Sequence, residues 1–215
     1  EEKKQMELYQ NIEMPLVNVL MDMEKEGVYV EQKLLNEMSI KIGERLDILV
    51  DNIYKISGKE LNVNSTQQLA TILFDELKLN QIKKRSTAEN VLKELVKEHQ
   101  LPELILEYRK LNKLKNTYID ALPVAINSKT NRIHSTFNQT IASTGRLSST
   151  SPNFQNIPIR TEEGREIRKS FMPQQTGWKI FSADYSQIEL RIMAHLSEDE
   201  ELCDAFNKNI DIHSR

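Results

Sequence analysis

The stretch Asp184-Tyr-Ser-Gln-Ile-Glu-Leu-Arg191 directly follows a short apolar run at residues 178–183. Such a run predicts a buried strand, and the apolar spacing over residues 187–196 predicts a helix. The carboxylate of Asp184 is therefore expected where a strand gives way to a helix. An aspartate at such a junction is often a helix cap. Because hard divalent cations need oxygen ligands, Asp184 is also the leading candidate metal ligand of the chain.

The front half of the chain predicts a series of amphipathic helices. Apolar residues recur there at three-to-four-residue spacing, and Ser-x-x-Gln and Ser-x-x-Glu capping boxes supply two of the start signals. Gly27 and a polar turn at residues 57–59 supply two of the stops. The predicted helices are residues 11–26, residues 31–54, one capped by Ser65, one capped by Ser86 and one that runs from Leu101 towards Tyr118.

After Pro123 the pattern becomes mixed. Residues 132–139 alternate apolar and polar side chains, as a half-exposed strand does, and residues 138–158 are rich in loop-forming polar residues and proline. A last helix is predicted after a cap at Ser197. The chain is therefore predicted to be α+β and predominantly helical, with a few antiparallel strands in its second half.

Length and composition describe an ordinary globular chain. Its 215 residues suffice for one large domain or two small ones, with 39% hydrophobic and 28% charged residues. No apolar run approaches the roughly 18 residues that would span a bilayer. The single cysteine, Cys203, cannot form an internal disulfide, and no apolar signal region follows residues 1–5. We therefore expect a cytoplasmic protein without a membrane span.

Charge is distributed unevenly along the chain. The formal net charge of −3 is unfavourable for a nucleic-acid binder, because Lys and Arg supply most of the affinity for phosphate. Residues 108–146 nevertheless contain seven basic residues against one acid, and residues 184–211 contain eight acids against two bases. This order is compatible with binding of DNA and of a metal. Solvated helix faces of mixed charge are the alternative interpretation.

Two motifs carry a family resemblance. Residues 184–191 resemble motif A of family A DNA polymerases, those of the polymerase I type. Residues 144–158, Thr-Gly-Arg-Leu-Ser-Ser-Thr-Ser-Pro-Asn-Phe-Gln-Asn-Ile-Pro, are similar to that family's T-G-R-L-S-S-x-x-P-N-x-Q-N-I-P signature. The resemblance covers nearly the whole chain and is strongest over residues 136–213. It implies a leading helix at residues 1–27, a helical thumb at 28–123 and an incomplete palm at 124–215.

The resemblance implies metal and nucleotide ligands. Asp184 would bridge two catalytic Mg²⁺ ions, and the backbone carbonyl of Tyr185 would complete the coordination. Glu189 would crowd the position of a ribose 2′-hydroxyl and so select deoxyribonucleotides. His213, in Asp211-Ile-His213, would contact the triphosphate of the incoming nucleotide. The implied catalytic residues are Asp184, Glu189 and His213, and the implied nucleotide-binding residues are Tyr185, Gln187, Glu189, His213 and Arg160.

The resemblance also implies a grip on primer-template DNA. A polymerase must accept every sequence, and the minor groove offers acceptors that all base pairs share. Arg, Asn and Gln are donors of the required type, although Asn and Gln in loops also satisfy backbone groups. Basic residues of the 108–115 run would contact phosphates, which position DNA without reading it. The implied DNA-binding residues are Arg109, Lys113, Thr144, Arg146, Asn153, Gln155 and Gln187.

A basic tip is expected between two of the predicted helices. Lys83, Lys84 and Arg85 lie together there and would grip the phosphates of a duplex. Solvated loop charge is the alternative for this cluster. Lys110 departs from the glycine that bacterial members of the family often carry at this position, and it adds one charge to the basic run.

The second metal aspartate and the nucleotide-binding fingers helix of the family have no match in these 215 residues. We therefore expect the chain on its own to be a monomer that does not polymerise and does not stably hold Mg²⁺. Deoxynucleoside triphosphates would be substrates of the longer parent enzyme. A non-catalytic DNA-binding module on the same scaffold is the alternative function. A helical protein-interaction domain is a third interpretation.

Overall fold

The structure is a computed structural model that describes residues 2–208 and 210. It is 56% helical, and its described residues form one two-stranded antiparallel sheet, so the predicted α+β, mainly helical class is confirmed. The chain folds into two compact units, the first ending at Trp178 and the second beginning at Lys179. Each unit is described by itself below. No helix in the described ranges is long and apolar enough to span a bilayer.

The first unit is built mainly from helices. Its α-helices are α1 (Glu2–Leu8), α2 (Met14–Glu26), α3 (Gln32–Ser57), α4 (Thr66–Ala70), α5 (Glu89–Leu95), α6 (Leu101–Leu114), α7 (Ala121–Val124) and α8 (Glu162–Lys169). Its π-helical segments are Tyr9–Glu13, Thr71–Glu76 and Lys115–Ile119, and its strands are β1 (Ile82–Arg85), β2 (Thr136–Asn138) and β3 (Ser148–Thr150). The helices predicted over residues 11–26, over 31–54 and from Leu101 are confirmed.

The ends of these helices follow local chemistry, with one exception. Gly27 ends α2 at a φ of 66°, where a Cβ would lie 2.8 Å from the Ile133 carbonyl oxygen. The Ser65 side chain accepts from the backbone amide of Gln68, as predicted. The predicted cap at Ser86 is wrong, because its hydroxyl accepts from Ala88 in a tight turn and α5 begins only at Glu89.

The hydrophobic core lies between α3, α6 and the segments that follow α6. Apolar side chains at helical spacing in these elements are almost fully buried. The π-helical segment after α4 adds its buried apolar side chains to the same core. The largest fully buried side chains are Leu35, Ile53, Leu69, Ile72, Leu73, Leu92, Leu95, Leu101, Ile105, Leu111, Ile119 and Leu122.

The sheet is shorter than the sequence pattern predicts. Within residues 132–139 only Thr136–Asn138 forms a strand, and it pairs with β3 so that Phe137 lies opposite Ser149. Ile133 instead makes an isolated antiparallel pair with Val28, which joins the chain after α2 to the segment before β2. Residues 132–139 therefore pair with two different segments of the chain and do not form one long strand.

The second unit contains two helices among its described residues, α9 (Ile188–Ser197) and α10 (Glu200–Asn207). The helix predicted over residues 187–196 is confirmed. The predicted cap of the last helix at Ser197 is wrong, because Asp199 accepts from Leu202 at 2.9 Å in that role.

The buried strand predicted at residues 178–183 is also wrong. These residues have no regular secondary structure and are exposed; Phe181 is 90% exposed. A strand needs a neighbour to pair its backbone groups. No described strand pairs with this segment.

Candidate nucleic-acid and metal-ligand sites

The loop at residues 144–158, hereafter the signature loop, is held by hydrogen bonds within itself. The Gln155 side chain donates from Nε2 to the Leu147 carbonyl at 2.9 Å. Its Oε1 accepts from the Ser149 amide at 3.0 Å. Gln155 thereby satisfies two backbone groups at the start of β3 as a neighbouring strand would. Its remaining Nε2–H group is left for another acceptor.

Asn153 is fixed by its oxygen. Its Oδ1 accepts from the Gln155 amide at 2.9 Å and lies 3.4 Å from the Ser149 hydroxyl. Within the described chain, no acceptor meets the NH₂ group of Asn153. Two predicted DNA-binding residues therefore both bind their own loop and keep N–H donors for a further partner.

The end of the signature loop is anchored to the helices. The Tyr118 hydroxyl donates to the Asn156 carbonyl at 2.6 Å, and burial raises the pKa of Tyr118. Arg168 of α8 reaches the carbonyls of Ile157 and Pro158 at 3.3 and 3.4 Å. At Gly164 a Cβ would lie only 2.5 Å from the Pro158 oxygen. Helix α8 therefore packs on the loop at a distance that only glycine allows.

The other predicted residues around this loop lie on its surface. Thr144, Arg146 and Arg160 are all exposed. Arg160 lies just before the N-cap of α8, and its carbonyl accepts from Arg165 at 3.3 Å. Exposed cations beside a loop rich in amide donors suit a polyanion, because phosphate contacts hold nucleic acid while amides meet base edges.

Arg109 lies on α6 and turns towards the protein. Its guanidinium donates to the Thr87 carbonyl and, at 3.2 Å, to the Thr87 hydroxyl. Burial lowers the pKa of Arg109. Thr87 itself is 6% exposed and precedes α5. Arg109 thus links α6 to the chain entering α5, whereas Lys113, also on α6, is exposed.

The basic run at residues 108–146 is not one free cationic surface. Several of its bases bind acceptors of the chain itself, among them Arg109 to Thr87, Lys110 to Glu163, Lys115 to Asp120 and Arg132 to Glu26. Glu163 also binds Arg45 at 3.1 Å. Burial opposes ionisation of Glu163, yet its hydrogen bonds and the nearby cations hold its pKa below the ordinary value. Lys110 therefore connects α6 to α8.

The basic tip forms the short strand β1, whose residues are all exposed. Arg85 is held there by a two-pronged ion pair with Asp75, at 2.5 and 2.7 Å. Lys83 and Lys84 remain as exposed cations beside it. Lys83 and Lys84 therefore stay candidates for phosphate contact, whereas Arg85 holds β1 in place.

The motif A segment belongs to the second unit. Asp184 and Tyr185 are exposed, and Tyr185 is 81% exposed. Gln187 is the N-cap of α9 in a left-handed conformation, and its buried Oε1 has no hydrogen-bond partner within the described chain. Glu189 lies in the first turn of α9. These four residues follow one another at the entrance of one helix, as the sequence predicts.

The Arg191 side chain contacts other residues of the second unit. Its Nε donates to the Ser186 carbonyl at 2.9 Å, and its guanidinium lies 4.6 Å from the centre of the Phe206 ring. The cation–π contact joins α9 to α10 and gives Arg191 a structural role.

Metal-ligand groups are sparse. Across residues 2–208 and 210, no group of three or more His, Cys, Asp or Glu side chains could hold a metal ion. The Asp184 carboxylate and the Tyr185 carbonyl are oxygen donors of the kind Mg²⁺ prefers. They fit such an ion as part of a ligand set. His213 and Asp211 lie outside the described residues, and their predicted roles remain predictions.

The described residues combine a donor-rich loop at a two-stranded sheet in the first unit with an exposed aspartate shortly before a helix in the second. The model of DNA polymerase family A matches residues 32–215. The chain belongs to DNA polymerase family A.

Individual relatives agree with this family. The chain is 47% identical over 212 residues to DNA polymerase I of Geobacillus stearothermophilus, a match that covers 97% of this chain and 24% of the relative. It is 50% identical over 209 residues to DNA polymerase I of Pseudomonas aeruginosa, covering 94% and 23%. The chain thus spans about a quarter of the length of these relatives.

A solved structure has the same fold. The POL domain of Pol1 from M. smegmatis, in complex with DNA primer-template and dNTP, matches with a TM-score of 0.89 and 40% sequence identity. The match covers 98% of this chain and 38% of that chain.

Sequence reasoning missed the residues that shape the signature loop. Ser149 and Ser135 are buried hydroxyls, at 0% and 3% exposure, and both bind loop backbone or side-chain oxygens. Tyr118 and Arg168 hold the end of the loop from distant positions. The only available signal was the position of Ser149 inside a long polar run, which does not reveal burial.

Proposed function

We propose that this chain is the thumb and first palm portion of a DNA-directed DNA polymerase. Its longer parent would add deoxynucleotides to the 3′-hydroxyl of a primer in the bacterial cytoplasm. The observation that carries this proposal is the TM-score of 0.89, over 98% of the chain, to a polymerase domain in complex with primer-template and dNTP. Family membership over residues 32–215 supports it independently.

Within that enzyme the signature loop would contact the minor groove. Asn153 and Gln155 retain N–H donors after their internal hydrogen bonds are made. Donors at fixed positions can meet the purine N3 and pyrimidine O2 acceptors that every base pair offers. Exposed Arg146, Thr144 and Lys113 would add sugar and phosphate contacts. Arg109 would act chiefly by holding α6 to the start of α5.

Asp184 would supply one carboxylate to the catalytic metal site, with the Tyr185 carbonyl beside it. Polymerases of this family generally depend on metal ions, and we propose Mg²⁺ as the ion. When bound, two such ions activate the primer hydroxyl and stabilise the leaving group. Asp184 stands exposed at the start of the segment and is accessible to ligands from elsewhere in the enzyme.

Selection of the nucleotide would fall to residues around the start of α9. Glu189 in the first turn would occupy the space that a ribose 2′-hydroxyl needs, and Gln187 would face the nascent base pair. His213 and Arg160 would meet the triphosphate. The buried, unpartnered Oε1 of Gln187 supports a ligand contact there, because a buried acceptor without a donor is costly.

The first test is DNA binding by the purified chain. Its affinity for a primer-template duplex should fall steeply between low and high salt, with a logarithmic slope near −0.9 for each phosphate contact. Lys113→Ala should reduce that slope by about one contact. Lys55→Ala, an equal charge change on an exposed position of α3, should leave it unchanged. Affinity that does not respond to salt would contradict the DNA grip.

The second test separates an enzyme from a DNA-binding module on the same scaffold. The reading frame that encodes these residues should also encode the nucleotide-binding helix and the second metal aspartate. The purified parent should then extend a primer in Mg²⁺. A parent that binds primer-template but lacks the second aspartate and does not extend it would establish the module instead.

A further inference from the structure

One buried side chain occupies the centre of the signature loop. Ser149 lies in β3, opposite Phe137 in the sheet register, and is 0% exposed. The Ser149 hydroxyl is a neutral group that can donate one hydrogen bond and accept others. A buried polar group without a hydrogen-bond partner is costly, so the partners of the Ser149 hydroxyl indicate its role.

Ser149 contacts three consecutive loop residues. Its hydroxyl accepts from the backbone amide of Phe154 at 2.9 Å and lies 3.4 Å from Oδ1 of Asn153. Its own backbone amide donates to Oε1 of Gln155 at 3.0 Å. The shorter contacts hold Phe154 and Gln155, and the longer one adds to the hold on Asn153.

These contacts decide which end of each side-chain amide faces outward. A backbone N–H can only donate, so the Gln155 amide requires the oxygen end of Asn153. In the same way the Ser149 amide requires the oxygen end of Gln155. The NH₂ ends are then the ones available to a partner. Minor-groove acceptors common to all base pairs require donors of this kind.

We propose that Ser149 is a positioning residue that orients the Asn153 and Gln155 donors for minor-groove recognition of the primer terminus. This inference rests on the proposed function. Without the hydroxyl, the part-buried Phe154 amide loses its acceptor and Asn153 loses one of its two donors. The backbone between Asn153 and Gln155 is then free to shift. Because hydrogen bonds depend on alignment, the matched primer end loses contacts that a mispaired end has already lost.

The test uses the polymerase that contains this chain, with matched and mispaired primer termini. Ser149→Ala should lower kcat/KM for extension of the matched end about tenfold and leave the mispaired end nearly unchanged. Ser149→Cys, which keeps the size and weakens the hydrogen bond, should fall between. Ser128→Ala is the control, because it makes the same change at an exposed serine outside the signature loop. It should keep the wild-type ratio of matched to mispaired extension.

A double-mutant cycle tests whether Ser149 acts through its neighbour. In an Asn153→Ala background, Ser149→Ala should cost clearly less on the matched end than it does alone. Equal losses on matched and mispaired ends, in Ser149→Ala or in the milder Ser149→Cys, would overturn the proposal in favour of a merely structural role. Fully additive effects with Asn153→Ala would also overturn it.

The failure of the proposed function gives a different result. If the wild-type polymerase discriminates between the two ends but Asn153→Ala and Gln155→Ala leave that discrimination unchanged, the DNA contacts themselves are wrongly assigned. If those two variants lose discrimination and Ser149→Ala and Ser149→Cys do not, only the role of Ser149 is wrong.

Discussion

The signature loop and the motif A segment carry the two clearest motifs of the chain, and their surroundings differ. The signature loop has a buried hydroxyl at its centre, an amide side chain that pairs with β3, and anchors from Tyr118 and Arg168. In the motif A segment, Asp184 and Tyr185 are exposed and residues 178–183 have no strand partner among the described residues. A DNA-reading loop can be shaped locally, whereas a metal site needs ligands from several elements.

The same contrast holds for packing. Ile119 in the first unit is 0% exposed, while Ile192 and Leu196 of α9 are 50% and 77% exposed. We propose that the rest of the parent polymerase covers this apolar face and residues 178–183.

The largest effect is expected from the motif A segment, at Asp184. In the parent polymerase, Asp184→Ala should reduce primer extension in Mg²⁺ by about a thousandfold or more, because a metal carboxylate is removed. Primer-template affinity should stay close to wild type, since all the proposed DNA-contacting residues except Gln187 lie in the first unit. Glu201→Gln, an equal charge change on an exposed position of α10, is the control. Retained activity in Asp184→Ala would remove Asp184 from the metal site.

The second prediction compares equivalent truncations in the two units. Ile119→Ala should lower the free energy of unfolding by about 2–5 kcal/mol, because it leaves a cavity in a closed core. Ile192→Ala should change it by less than about 0.5 kcal/mol in the 215-residue chain, because its side chain is already half exposed. Urea unfolding of both variants measures this. Similar costs would show that the second unit is packed in solution.

The third prediction concerns the support of the signature loop by α8. Gly164→Ala should destabilise the chain by about 1–3 kcal/mol, because the new Cβ meets the Pro158 backbone and one element must move. Gly43→Ala in α3 is the matched control, with its nearest neighbour 3.8 Å away on the flexible Lys115 side chain. It should stabilise the chain by about 0.4–1 kcal/mol. Equal effects would contradict the close packing of α8.

The smallest expected effect separates two similar serines within the first unit. Ser65→Ala removes the side-chain cap of α4 and should cost about 1 kcal/mol. Ser86→Ala removes a turn hydrogen bond outside a helix and should cost less than about 0.5 kcal/mol. Thermal unfolding of the two variants distinguishes them. A larger cost at Ser86 would restore the capping box that the sequence predicted there.

Periodicity predicted the helices well because each is decided by its own residues. Helices α3 and α6 bury the apolar stripe that their spacing indicates, whereas most apolar side chains of α2 and α9 are exposed in helices that form as predicted. The predicted N-caps were less reliable, because other residues close to Ser86 and Ser197 can also begin the helix. The structure begins α5 at Glu89 and uses Asp199 to cap α10. Local sequence offers several caps and the tertiary structure selects one.

The motifs identified the family correctly. The roles of Asn153, Gln155 and Asp184 in binding stay predictions, and their surroundings were not predictable from the sequence. That Arg109 binds Thr87, 22 positions away, depends on how α5 and α6 pack. That residues 178–183 do not form a strand depends on a partner strand, which a linear pattern does not contain.

The exposed stretch at residues 178–183 begins with the only tryptophan of the chain, Trp178, which is 53% exposed. Its indole therefore supplies a fluorescence signal from the boundary between the two units, without a label and without background from another tryptophan. In the isolated chain its emission should resemble that of tryptophan in water. In a parent enzyme whose tryptophans outside these 215 residues are replaced by phenylalanine, a shift to shorter wavelength would report that this stretch has become covered.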